Sequence, residues 1–161
     1  MKYLSVKEFL NLVDNTPLIS IDLIIRNPGG KVLLGMRNNQ PAKGYWFVPG
    51  GRIHKNQSFQ TAFRYTTSNE LGHKVPVEDA RFLGCFEHFY KENFANVKGI
   101  STHYMVLAFS MVIDDITLIR PAGNQHTDWQ WMTLEQILKS KLVHAYTKNY
   151  FNGAKPCFPS K

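Results

Sequence analysis

Hydrophobic and polar positions along the chain change period several times, and each change predicts an element. Ser5 followed by Glu8 has the spacing of a capping box and predicts a short first helix to about Val13. Pro17 ends that pattern, and Leu18–Arg26 reads as a strand with Ile19, Ile21, Leu23 and Ile25 on one face and Ser20 and Asp22 on the other. Asn27-Pro28-Gly29-Gly30 is a hairpin turn signal, and residues 31–37 return as the next strand. Residues 57–71 carry a helical period. Residues 80–90 and 102–113 read as two longer strands joined by a polar connection with Lys91-Glu92-Asn93 and Lys98-Gly99. A loop over 120–128 leads into a short aromatic strand, 129–132. Thr133 with Gln136 caps a helix to about Ser140, and a last helix over 143–151 precedes a Gly/Pro-rich tail. Hairpin-paired strands with helices on the sheet faces give an α/β sandwich.

Within the helix over 57–71, Phe59, Ala62, Phe63, Thr66 and Glu70 share one face. Four suit a core and the fifth is an acid. An isolated buried carboxylate is costly, so Glu70 either has a cation partner or sits where a frayed helix end meets water.

With 161 residues the chain fits a single domain, residues 1–161, with room for a sizeable core. No stretch is apolar and long enough to span a bilayer, and residues 1–15 lack a signal-peptide core, so a soluble cytoplasmic protein without membrane partners is expected. Cys85 and Cys157 are too few for a disulfide framework and form no CxxC pair. A net charge of +7 suits an anionic partner, but Lys and Arg are scattered rather than clustered, and no nucleic acid is expected. There is no GxSxG, P-loop or GxGxxG, which leaves serine-hydrolase and dinucleotide readings without support.

The six histidines lack zinc-site spacing. His126 stands apart because it follows Gln125 in a Gly-containing loop, where a mobile general base can reach a substrate. His88, inside Phe86-Glu87-His88-Phe89-Tyr90, also reads as a strand residue with a satisfied partner. Gly50-Gly51 followed by Arg52 can present a backbone carbonyl and a guanidinium to a phosphate–metal complex.

Residues 44–72, GYWFVPGGRIHKNQSFQTAFRYTTSNELG, resemble the Nudix box, whose pattern is Gly, five residues, Glu, seven residues, then Arg-Glu-apolar-x-Glu-Glu-x-Gly. Counted from Gly51, its acidic and basic positions fall on Gln57, Tyr65, Thr66, Asn69 and Glu70, and its last Gly on Gly72. Glu70 alone keeps a carboxylate. Attack at phosphorus commonly uses two or more metal ions and therefore a carboxylate cluster. One Mg²⁺ held by the Gly50 carbonyl, Glu70, an amide oxygen and a diphosphate could stabilise a departing diphosphate, but water would then need a side-chain base.

The wider pattern resembles the GDP-mannose mannosyl hydrolase family of the Nudix superfamily. It is carried by residues 16–22, Leu33-Leu34-Gly35-x-Arg37, residues 44–52, Glu70-Leu71-Gly72, His88-Phe89-Tyr90, Thr102-His103-Tyr104 and Gln125-His126-x-Asp128. The resemblance implies a Nudix fold, a mixed β-sheet between helices. It also implies Mg²⁺-dependent hydrolysis of GDP-mannose or GDP-glucose at the sugar carbon, with inversion, by a homodimer. It implies one Mg²⁺ per subunit on Gly50, Glu70 and Gln125, with His126 as base and Arg37 and Arg52 at the diphosphate. Tyr3, Leu4 and Phe9 would contact the nucleotide, and Asp22, His88, Tyr90 and Tyr104 the sugar side. Two departures bear on activity: neutral Gln57 and Tyr65 replace what reads as a charge pair lost together, and Gly123-Asn124 replace a more acidic loop. A pyrophosphohydrolase acting at phosphorus and a catalytically silent nucleotide- or RNA-binding Nudix fold are the alternatives.

Overall fold

The structure is a computed structural model and describes residues 4–114 and 126–159. The Ser5 capping box forms: its hydroxyl accepts the Glu8 N–H, the Glu8 carboxylate accepts the Ser5 N–H, and helix α1 runs Val6–Asn15. Strands β1 (Leu18–Arg26) and β2 (Val32–Arg37) follow as an antiparallel pair. Helix α2 is Phe59–Leu71, strands β5 and β6 are Arg81–Tyr90 and Thr102–Val112, and helix α3 is Leu134–Lys139 behind the Thr133/Gln136 capping box.

Three short strands escape the periodicity. β3 (Trp46–Phe47) and β4 (Gly50–Arg52) lie in residues 44–52, to which the pattern assigns no strand, and β8 (Phe158–Pro159) lies in the Gly/Pro-rich tail. β7 spans His126–Met132, three residues earlier than the aromatic strand expected from 129, so His126 belongs to the sheet and not to a loop. Helix α2 starts at Phe59 because Ser58 is its cap, accepting the Thr61 N–H, with Asn56 at φ 68° just before it. Helix α4 is shorter than expected, Ala145–Asn149, because the His144 ring caps it through Nδ1.

The sheet is mixed and eight-stranded. Its main path is β3-β2-β1-β6-β5-β8, with β4 on β1 and β7 on β2. Only β1 and β6 run parallel among these pairings, which leaves β1 in the middle with both faces covered. Ile21, Leu23 and Ile25 pack with Ala62, Phe63 and Leu71 of α2 and Phe109 on one side. Ile24, Val32 and Leu34 pack with Val106, Met132 and Ile137 of α3 on the other. This is the expected α/β sandwich. Alternation along β1 therefore assigns faces but not exposure: Ser20 and Asp22 are buried, while Ile19 is 50 % exposed.

Candidate active site

Close approach of β4 to its neighbours builds the site. Gly50 pairs with Asp22 and Gly51 with Ile21. A Cβ on Gly50 would lie 2.5 Å from the Ile21 carbonyl oxygen and 2.8 Å from Asp22 Oδ1, and one on Gly51 would press on Thr66 at 3.2 Å. The glycine pair lets β1, β4 and α2 meet where one side chain would separate them. Gly50→Ala is expected to lower stability by about 1–3 kcal/mol through overpacking, read as a drop in thermal midpoint. An unchanged midpoint would mean that β4 can yield.

Glu70 occupies the last turn of α2 and is 2 % exposed, so the helix end neither frays nor wets it. Its carboxylate takes a hydrogen bond from the Gly50 backbone, yet buried Oε2 has no hydrogen-bond partner among the described residues. Burial raises its pKa from 4.5 to about 7, and nearby Asp22 adds to the rise while Arg37 opposes it. Asp22 is also pushed up to about 7 by burial, against the pull of a Tyr150 hydrogen bond and Arg37.

Gly72, at φ 83°, ends α2 in the left-handed conformation that explains the last glycine of the motif.

Arg37 ends β2 opposite His126 across a bulge. Its Nε donates to the Pro41 carbonyl at 2.9 Å, and its guanidinium lies 5.8 Å from the Phe47 ring centre. From there its charge acts on Asp22, Glu70 and His126. Arg52 ends β4 and stacks on Phe9 of α1 at 4.0 Å, so α1 supports a cleft cation.

A cleft of about 360 Å³ gathers Phe9, Asp22, Arg37, Gly50, Arg52, Glu70, His88, Tyr90 and Tyr104 on its wall. The motif residues Tyr65, Thr66 and Asn69 line it as well. Gln57 and Tyr65 both meet His54: the Gln57 side chain accepts the His54 N–H at 2.9 Å, and the Tyr65 ring stands edge-on to the imidazole at 6.4 Å. Leu4 is away from this cleft, in an adjoining groove of about 1200 Å³ that shares Phe9, Arg52 and His54 with it. Tyr3 and Gln125 fall outside the described residues.

His126 is buried and is not on the cleft wall. Its ring packs against Gly35, where a Cβ would sit 2.5 Å from it, and lies 4.6 Å from the Trp129 ring. Nδ1 is 3.5 Å from Glu70 Oε2, longer than a hydrogen bond, and neither ring nitrogen has a hydrogen-bond partner among the described residues. Burial first, then Arg37, pushes its pKa down to about 4, which keeps the ring neutral.

Sequence reasoning missed the C-terminal support of the cleft. Tyr150 at the end of α4 donates to Asp22 Oδ2 at 2.7 Å and lies 3.3 Å from His88 Nε2. Tyr146 stacks on His88 at 4.1 Å. Their four-residue spacing in the last helical pattern was the available signal.

The donor set fits one hard cation. Glu70 Oε2 is buried without a hydrogen-bond partner among the described residues, and the Glu70 and Asp22 carboxyls are both held up to about 7 by burial, a condition that positive charge relieves. Among the described residues no group of three or more His, Cys, Asp or Glu could hold a metal, so backbone, amide or substrate oxygens would complete its shell.

The fold and this site define the class. The chain matches the NUDIX domain over residues 16–151 and belongs to the NUDIX family. It is 47 % identical over 147 residues to the low-salt glycan biosynthesis protein Agl8 of Haloferax volcanii, covering 91 % of this chain and 87 % of that protein. The MutT protein from Methanosarcina mazei Go1 superimposes with a TM-score of 0.66 at 22 % identity, over 87 % of this chain and 94 % of that one. The NUDIX domain of Shewanella oneidensis NrtR, in a cocrystal with ADP ribose, gives 0.62 at 16 % identity, over 94 % and 95 %. Both structural likenesses concern the fold. No helix among the described residues is long and apolar enough to cross a membrane.

Proposed function

We propose that this NUDIX enzyme hydrolyses a nucleotide sugar, with GDP-mannose or GDP-glucose as substrate, to GDP and free sugar by attack of water at the anomeric carbon. The observation that carries the reading is the cleft's charge: Arg37 and Arg52 line it, while the α2 motif contributes Glu70 as its single carboxylate. That inventory suits a leaving diphosphate better than a multi-metal attack at phosphorus. The relative's role in glycan biosynthesis fits a nucleotide-sugar substrate.

Arg37 and Arg52 bind the diphosphate, with Arg37 held in place by the Pro41 carbonyl. Asp22, His88, Tyr90 and Tyr104 line the sugar end, and Phe9 and the groove beside Leu4 receive the nucleoside together with Tyr3. Glu70 and the Gly50 carbonyl, with Gln125, would hold one Mg²⁺ per subunit, whose charge stabilises the departing diphosphate. His126 takes a proton from water as the water oxygen bonds to the anomeric carbon. The carbon–oxygen bond to GDP breaks with its electron pair on the diphosphate, and the carbon inverts. For this His126 must turn from Glu70 toward the cleft. The working unit is a cytoplasmic homodimer.

Turnover in ¹⁸O-water tests the reaction. Labelled mannose with unlabelled GDP is expected. GMP with mannose 1-phosphate, the label in a phosphate, would move the attack to phosphorus. Because His126 is off the cleft wall, a silent nucleotide-binding module is the second reading. Bound but uncleaved GDP-mannose would favour it.

A further inference from the structure

Asp22 and His88 line the cleft, but what sets their orientation lies behind them on α4. The Tyr150 hydroxyl donates its one proton to Asp22 Oδ2 at 2.7 Å. With Asp22 ionised the hydroxyl has no second proton to give, and its 3.3 Å contact with His88 Nε2 then takes the imidazole as the donor. The chain therefore runs from His88 Nε2–H to the Tyr150 oxygen, and from the Tyr150 hydroxyl to Asp22. Tyr150 and His88 are each packed against a further aromatic ring. The Tyr150 ring stands edge-on to Phe86 at 4.9 Å and 88°. His88 lies flat on Tyr146 at 4.1 Å and 6°. The Tyr146 hydroxyl accepts the Phe89 N–H at 2.7 Å and donates to the Phe89 carbonyl at 2.8 Å, which locks α4 to the end of β5.

We propose that Tyr150 is a positioning residue of the sugar end of the cleft, holding Asp22 and His88 in one fixed relation through its hydroxyl. The proposal rests on the nucleotide-sugar reading above. With Oδ2 tied to Tyr150, Asp22 keeps Oδ1, the oxygen on the Gly50 side, as the acceptor for a hydroxyl of the sugar. A single acceptor in a fixed place recognises a polyhydroxylated group by the direction of its hydroxyl. Without the tyrosine hydroxyl the carboxylate is free to rotate and Oδ2 loses its partner.

Tyr150→Phe keeps the ring and removes only the hydroxyl. Wild type and variant are compared with GDP-mannose and with GDP alone. Turnover is expected to fall about ten- to hundredfold, as for a reacting group displaced by an ångström, while the Kd for GDP stays the same. Added to Asp22→Ala, which removes the acceptor, Tyr150→Phe should cost less than it does in wild type, with only the His88 contact left to lose. Unchanged turnover in Tyr150→Phe, or the same loss in both backgrounds, would overturn the proposal.

Nitrogen-15 spectra of the wild-type imidazoles give a readout that needs neither turnover nor a variant. His88 is expected as a neutral ring with its proton on Nε2, and a ring protonated on Nδ1 would overturn the chain. Wild-type protein that fails to cleave any nucleotide sugar would overturn the hydrolase reading, and the His88 spectrum would still decide whether Tyr150 links the two cleft residues.

Discussion

Glu70→Gln is expected to make the metal-free protein more stable at pH 8 while cutting turnover about 10²–10³-fold and weakening the dependence on Mg²⁺. The two halves have one cause. Burial raises the Glu70 carboxyl from 4.5 to about 7, so the folded protein holds this proton more tightly than the unfolded chain. Between about pH 4.5 and pH 7 the folded state binds more protons, and its stability falls as pH rises. Above about pH 7 the folded protein carries the full cost of a buried, poorly paired carboxylate. Gln keeps the shape and removes the charge, which should return at most about 3 kcal/mol at pH 8. Asp22, also raised to about 7, keeps part of the same slope in the variant. Thermal unfolding in EDTA at pH 5 and pH 8 reads the effect. In activity the same change removes the charged cation ligand and the electrostatic stabilisation that depends on it. A variant as active as wild type, with the same Mg²⁺ titration, would place the metal elsewhere.

Such a residue is tolerated because function needs it, and this explains how far the sequence could be read. Elements with local causes were legible. The Ser5/Glu8 and Thr133/Gln136 boxes mark helix starts within a turn of where they fall. Alternation over Leu18–Arg26 identifies the central strand. What failed depends on partners distant in sequence. β4 is three residues with two glycines and is a strand only because Ser20, Ile21 and Asp22 pair with it. β8 exists because Gly84 and Cys85 offer an edge.

The cleft was legible in its parts. Asp22, Arg37, Gly50, Arg52, Glu70, His88, Tyr90 and Tyr104 line one cleft from β1, β2, β4, α2, β5 and β6. Leu4 belongs to the neighbouring groove, and the support from Tyr146 and Tyr150 was hidden because aromatic residues at helical spacing read as core. Spacing alone could not say that Glu70 would be enclosed rather than wet. Gly50, Gly51 and the inward His126 decide that, and all three act through tertiary contact.

His126→Gln is expected to reduce turnover about 10²–10⁴-fold and to leave GDP affinity unchanged, the pattern of a lost general base. Where the imidazole sits makes the prediction sharper. In its contact with Glu70 the ring is held near pKa 4 by burial and Arg37, too weak a base to take a proton from water efficiently at neutral pH. A ring that turns into the solvated cleft regains the ordinary imidazole value near 6.5. The acid limb of kcat against pH in wild type should therefore fall near 6.5 rather than near 4. The displaced ring also removes a group from beside Glu70 Oε2, so base release and cation binding favour the same state. Isothermal titration with GDP and a pH–rate profile check both claims. A limb near pH 4 that vanishes in His126→Gln would mean that the base works from its buried position. A loss below tenfold would remove His126 from the reaction and leave the cleft to another base.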